Sequence, residues 1–112
     1  MLLTIVELPS YLRVAGKLLG EDGREAIVEH LAAQPGAGVL IEGTAGVRKL
    51  RWAREGRGKS GGVRVIYYFH SERMPLYLLA MFAKNERANL SRAERNALAS
   101  LVEELVSIWL TR

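Results

Sequence analysis

The chain has 112 residues and no cysteine. That absence excludes a disulfide scaffold and any thiolate metal site, and it fits a reducing compartment. Asp22 is the only aspartate, and His30 and His70 are the only histidines. No set of carboxylates and histidines has the spacing of a metal-ligand motif, so no metal and no other cofactor is expected. A Ser-His-Asp hydrolase finds no support in the same residues. A histidine-pair mechanism would need His30 and His70 to meet, and His30 falls on the apolar side of a predicted helix, where a structural role fits better. Long apolar runs are also missing. The longest, Leu76 to Ala83, has eight residues and is too short to span a bilayer. Met1-Leu2-Leu3 carries no charged n-region, so a secretory signal is not expected and a cytoplasmic location is. No linker, repeat or low-complexity tract interrupts the chain, which reads as one domain over 1–112.

What is present is basic charge in one place. Seven of the sixteen basic residues (Arg48, Lys49, Arg51, Arg54, Arg57, Lys59 and Arg64) fall within 48–64, against the single acid Glu55. The remainder is slightly acidic, so a nearly neutral body carries one strongly basic segment. Such a field draws phosphates or an acidic protein partner, and the arginine excess suits forked phosphate contacts. Gly56-Arg57-Gly58-Lys59-Ser60-Gly61 spells G-x-G-x-x-G, but that motif must open a helix. A strand-like run, Val63 to Phe69, follows it instead. Gly58-Lys59-Ser60 resembles the end of a phosphate-binding loop, yet position 53, where a glycine is needed, is alanine. A flexible, positively charged hairpin loop is the reading that remains.

Periodicity predicts a strand over 4–8, ended by Pro9, and a helix over about 11–19 with Ser10 as its N-cap. Gly20 would stop that helix. Asp22 and Glu25 have capping-box spacing, so a second helix is predicted from there to Pro35-Gly36, completing a helical hairpin. Residues 36–46 read as a glycine-punctuated loop. Three strands follow, at about 47–53, 62–70 and 76–84, as an antiparallel meander. In the middle strand, Val63, Val65, Tyr67 and Phe69 share one face, and Arg64, Ile66, Tyr68 and His70 share the other. Ser91 and Glu94 repeat the capping-box spacing ahead of a helix over about 92–109. The fold class is α+β, in the order β-α-α-β-β-β-α.

Residues 43–53, Gly56 to Tyr68, Tyr77-Leu78-Leu79 and Ala83-Lys84-Asn85-Glu86 together resemble the RelE/HigB toxins of type II toxin–antitoxin systems, particularly the HigB-like branch. The resemblance extends over Thr4 to Pro9, the helical hairpin and Leu90-Ser91. It implies a twisted, mostly antiparallel sheet with an N-terminal helical hairpin and a C-terminal helix near the active groove. It implies a ribosome-dependent mRNA endonuclease that blocks translation. It also implies a cognate antitoxin, expected to be a helix-turn-helix HigA-like protein. The partners are then the ribosome and mRNA, with DNA reached only through the antitoxin and no membrane involved.

Cutting RNA without a metal requires the 2′-hydroxyl to attack the adjacent phosphate while charge grows on the phosphoryl oxygens. Clustered arginines stabilise that charge. Arg64, in mid-strand and matching the family's strand arginine, is the first candidate. Its structural alternative is a pair with Glu86 or the C-terminal carboxylate. Lys84, from the Ala-Lys-Asn-Glu block, and Glu86 are the candidates for moving protons, with Glu86 equally able to orient Arg64 or Lys84. Lys49 and Arg51 share a strand face and suit the RNA backbone. Arg48 points the other way. Arg54, Arg57 and Lys59 suit ribosomal RNA, Asn85 is a further RNA contact, and Tyr68 either stacks on a base or belongs to the core. In the compact RelE branch an arginine follows this lysine and a tyrosine comes soon after. Here those places hold Asn85 and Ser91, so that branch's acid–base assignment does not carry over. Two other readings keep the same fold. One is a non-enzymatic gyrase inhibitor like ParE, and the other is a decayed toxin that only binds its antitoxin.

Overall fold

The computed structural model describes residues 3–54, 58–87 and 89–110, with 58–61 described by backbone alone. The elements run β1 (Ile5–Glu7), α1 (Pro9–Leu18), α2 (Gly20–Ala33), β2 (Val39–Leu40), β3 (Arg48–Arg54), β4 (Gly58–Tyr68), β5 (Leu76–Ala83) and α3 (Arg92–Leu110). The strands form one sheet in the order β1-β5-β4-β3-β2. β1 pairs parallel to β5, and every other neighbour is antiparallel. The predicted α+β class and the meander of three long strands are both present.

Alternation along the strands divides the core in two. Leu50, Val63, Val65 and Tyr67 face α1 and α2, whose Tyr11, Ala15, Ile27 and Leu31 complete that layer. Ile66, Tyr68, Leu79 and Phe82 face α3, which contributes Val102 and Leu105. A bulge sharpens the second layer. Ile66 lies opposite Ala80 but Tyr67 lies opposite Leu78, so Leu79 is an extra residue, and Leu79 and Ala80 both pack on the α3 side.

Several local expectations are corrected. Pro9 does not merely end β1. It opens α1, where its missing N–H would be unpaired in any case. Ser10 is therefore inside the helix, and its hydroxyl donates to the Leu79 carbonyl at 2.8 Å, tying α1 to β5. Gly20, at φ +71°, makes the break between the helices. α2 begins there, so Asp22 sits in its first turn rather than at its cap, and no side chain caps the helix. Asp22 still favours the positive end of the helix dipole. Val39–Leu40, expected as loop, is a two-residue edge strand on β3. β4 also starts earlier than expected. Gly58 pairs with Arg54, so the glycine-rich letters from 58 onward are strand backbone rather than loop.

The segment before β2 is pinned by two cross-strand neighbours. Arg48 and Tyr67 are directly opposed in the β3–β4 ladder. The Tyr67 hydroxyl accepts from the Gly38 N–H and donates to the Pro35 carbonyl, each at 2.8 Å. Arg48 Nη1 donates to the carbonyls of Gly38 at 2.7 Å and Gly36 at 3.2 Å. A Cβ at position 38 would lie 2.7 Å from the Tyr67 ring, so the close approach requires glycine. The resulting stable loop positions β2 and the edge of β3.

Candidate nucleic-acid interface

β3, β4 and β5 carry the basic residues into register. Arg51 lies directly opposite Arg64, and Arg64 directly opposite Phe82. Directly opposed residues of antiparallel strands share a face at roughly 5 Å between Cβ atoms. One step along, Lys49 faces Ile66, and Ile66 faces Ala80. Because this is the α3 face, Ile66 and Phe82 are covered by the core, while Lys49, Arg51 and Arg64 lie outside it. Arg51 is exposed, and Lys49 and Arg64 are half-buried.

Two arginines opposed across a ladder repel, which destabilises the pair unless an anion lies between them. Arg64 reaches no carboxylate among the described residues. Its one hydrogen bond runs from Nη1 to the neighbouring Val63 carbonyl at 3.3 Å. The structural alternative of an Arg64–Glu86 pair is therefore not formed. The C-terminal carboxylate, its other proposed partner, lies outside the described residues.

Lys84 extends the same register. Its N–H donates to the Gly62 carbonyl at 3.0 Å, one step past the Val63–Ala83 pair, so it follows Phe82 by two residues beside Arg64. Lys84, Asn85 and Glu86 are all exposed in the turn after β5, where the Glu86 N–H donates back to the Ala83 carbonyl at 3.1 Å. Lys49, Arg51, Arg64 and Lys84 thus share one face, with Asn85 and Glu86 at its rim.

The other expected contacts fall elsewhere. Tyr68 is a correction: it is 6% exposed and belongs to the core beneath α3, so its ring is not free to stack on a base. Gly46, whose added Cβ would come within 3.2 Å of that ring, packs against it. Arg54 lines a cleft with Leu18, Asp22 and Trp52 on the side of the helical hairpin. Arg57 and the Lys59 side chain lie outside the described residues. His30 meets Trp52 edge-on at 5.3 Å, and His70 bonds Ser71, so the two histidines serve different contacts. Among the described residues no three His, Cys, Asp or Glu side chains are placed to hold a metal ion. No helix there is long and apolar enough to cross a membrane.

One residue escaped the sequence reading. The Arg87 guanidinium lies 5.0 Å from the centre of the Phe82 ring, the residue opposite Arg64. Arg87 also pairs with Glu94 on α3. The Ala83-to-Glu86 motif stops one residue short of it, and a residue four positions past the end of β5 carries no periodicity signal.

A family described as "RelE toxin of RelE / RelB toxin-antitoxin system" matches residues 32–110, which include every strand of the basic face and α3. The chain belongs to the RelE toxin family. It is thus the toxin member of a toxin–antitoxin pair, with an antitoxin as its cognate partner. Among solved structures, it is similar to the Escherichia coli toxin RelE, determined in the free state as a double arginine-to-alanine mutant. The TM-score is 0.57 at 17% sequence identity, over 91% of this chain and 98% of that one. That similarity bears on the fold. Relative to the compact branch of the RelE family, position 91 here serves structure. Ser91 Oγ accepts from the Glu94 N–H at 3.1 Å, and Glu94 accepts from the Ser91 N–H at 2.8 Å, a complete capping box.

Proposed function

We propose that this RelE-family toxin is a ribosome-dependent mRNA endonuclease of the HigB-like branch, cutting by attack of a 2′-hydroxyl on the adjacent phosphate without a metal. The observation that carries the reading is the opposition of Arg51 and Arg64, with Arg64 paired to no carboxylate among the described residues. A fold keeps such a pair where a polyanion completes it, and a bent phosphodiester does so best in the transition state, when charge on its oxygens is greatest. Arg64 stabilises that charge from mid-strand. Lys49 and Arg51 hold the flanking backbone. Lys84 and Glu86, exposed at the rim, are the groups that move the 2′-proton and protonate the leaving 5′-oxygen. Asn85 contacts the RNA beside them. Arg54, Arg57 and Lys59 are left for ribosomal RNA. The cognate antitoxin is a helix-turn-helix protein of HigA type that brings DNA binding to the pair. The cytoplasm is where ribosomes and mRNA are met.

Inducing the chain in cells, or adding it to translating ribosomes, and mapping mRNA 5′ ends tests the reading. Wild type should produce new ends inside reading frames. Arg64→Ala should lower cleavage about 10²- to 10³-fold while the protein stays folded, the scale of removing one preorganised charge stabiliser. Growth arrest without new ends, or DNA-damage signalling in their place, would overturn it in favour of a gyrase inhibitor.

A further inference from the structure

The basic face ends at Arg87, which is occupied. Its Nη2 pairs with Glu94 and also donates to the Asn89 carbonyl at 3.3 Å. Phe82 supplies a flat support under the guanidinium at 5.0 Å. Phe82 is the cross-strand neighbour of Arg64, which faces Arg51. The row therefore reads Arg51, Arg64, Phe82, with Arg87 over its last member. Both contacts use Nη2, the nitrogen that belongs to both two-donor edges of the guanidinium, since Nε and Nη1 lie on opposite sides of it. A stacked guanidinium grips a phosphate bidentately through such an edge, so the grip forms where Glu94 gives up Nη2. Glu94 is held from the other side as well, since its carboxylate accepts from the Ser91 N–H. It loses nothing in the capping box if Arg87 leaves.

We propose that Arg87 is a further phosphate-binding residue of this face, and that Glu94 is the anion it exchanges for an RNA phosphate one nucleotide or more from the scissile bond. This rests on the RNA-binding part of the proposed function and adds a residue and an internal competitor to it. In the free protein the Glu94 carboxylate neutralises Arg87. On binding, a phosphate takes the place of Glu94 on Nη2, and the capping box retains the carboxylate at the start of α3.

The test is binding, separate from cleavage. The purified full chain is titrated with a short single-stranded 2′-O-methyl RNA, which cannot be cut by 2′-hydroxyl attack, across a series of salt concentrations. Arg87→Ala should weaken binding about tenfold and lower the slope of log K against log salt by about 0.7, the loss of one single-strand phosphate contact. Glu94→Gln keeps an acceptor for the Ser91 N–H while removing the charge, and should tighten binding several-fold. That gain should vanish in the Arg87→Ala background. An Arg87→Ala variant with unchanged affinity and slope would overturn the proposal. So would a Glu94→Gln gain that persists without Arg87, since it would report only the general field. Glu94→Gln binding more weakly than wild type would overturn the exchange as well. Wild type that binds the oligonucleotide yet cuts nothing on ribosomes would sink the nuclease reading and leave this one standing. Failure of wild type to bind even at low salt would sink this proposal, while the nuclease reading stands or falls on the ribosome assay.

Discussion

At the scale of single residues, two buried tyrosines make opposite predictions. Tyr67 is fully buried with its hydroxyl bonded to Gly38 and Pro35. Burial pushes its pKa up, the Gly38 amide and Arg48 pulling weakly the other way, so it acts as a neutral hydroxyl. Tyr67→Phe strands the Gly38 N–H and should destabilise the protein by about 1–3 kcal/mol. Tyr11 is also fully buried, but its hydroxyl has no hydrogen-bond partner among the described residues. Tyr11→Phe removes an unpaired polar group, so stability should hold or rise by up to about 1 kcal/mol. Urea midpoints of the two variants at unchanged m-value check both. The alternation that put Tyr67 and Arg64 on opposite faces was legible, because a strand repeats every two residues. The hydroxyl's partners were not, because Gly38 lies 29 residues away and only the folded ladder brings it near. The same distinction divides the basic residues. Lys49 and Arg51 were placed on one face by parity alone, whereas their alignment with Arg64 depends on the β3–β4 register, the burial of Tyr68 on α3, and the stacking of Arg87 on a turn without a repeat.

At the scale of elements, helix ends show what local sequence can and cannot decide. Ser91 and Glu94 form their capping box as their spacing predicts, whereas Asp22 and Glu25 have the same spacing and form none. The difference lies upstream. Gly20 takes a positive φ and lets α2 begin directly after α1, which carries Asp22 inside the first turn. β2 was missed for a similar reason: two residues are too few for a period, and what makes them a strand is the partner β3. The box on α3 has a pH signature. The Arg87 guanidinium first, and the Ser91 amide second, lower the Glu94 pKa from 4.5 to about 2. A carboxylate with a depressed folded pKa supports the native helix end fully above pH 4.5. That support is lost as pH falls from 4.5 through 2. Amide exchange at residues 91–95 should therefore accelerate relative to the α3 interior as pH falls through that window, after correction for intrinsic rates. In Glu94→Gln this pH-dependent part should disappear. Equal protection of those amides at pH 5 and pH 2.5 in wild type would contradict it.

At the scale of the molecule, the net charge of +4 understates how unevenly charge is distributed. The acidic residues of α2, Glu21, Glu25 and Glu29, line a cleft with Arg24 and Glu7, and there Arg24 and Glu7 pair at 3.3 Å. Four carboxylates are thus gathered on the hairpin side of the sheet, while Lys49, Arg51 and Arg64 stand on the α3 side, where Glu94 is held by Arg87 and the Ser91 N–H. Sequence could locate the surplus in 48–64 but not its separation from the acids, which follows from which face each helix covers. This separation sets binding against stability. An uncompensated Arg51–Arg64 pair opposes folding, and its repulsion is screened by salt. Arg51→Glu converts the pair into an attractive one on the same two strands. It should raise stability by roughly 0.5 kcal/mol, the scale of an exposed cross-strand ion pair, and flatten the rise of Tm with salt expected of wild type. The same substitution places a carboxylate where the phosphodiester is expected, so mRNA cleavage and oligonucleotide binding should both collapse. A variant that is more stable, less salt-sensitive and inactive would identify the opposed arginines as a face kept for a polyanion. A variant that loses stability while keeping full cleavage would show that Arg51 serves the fold instead, and that the RNA is held elsewhere.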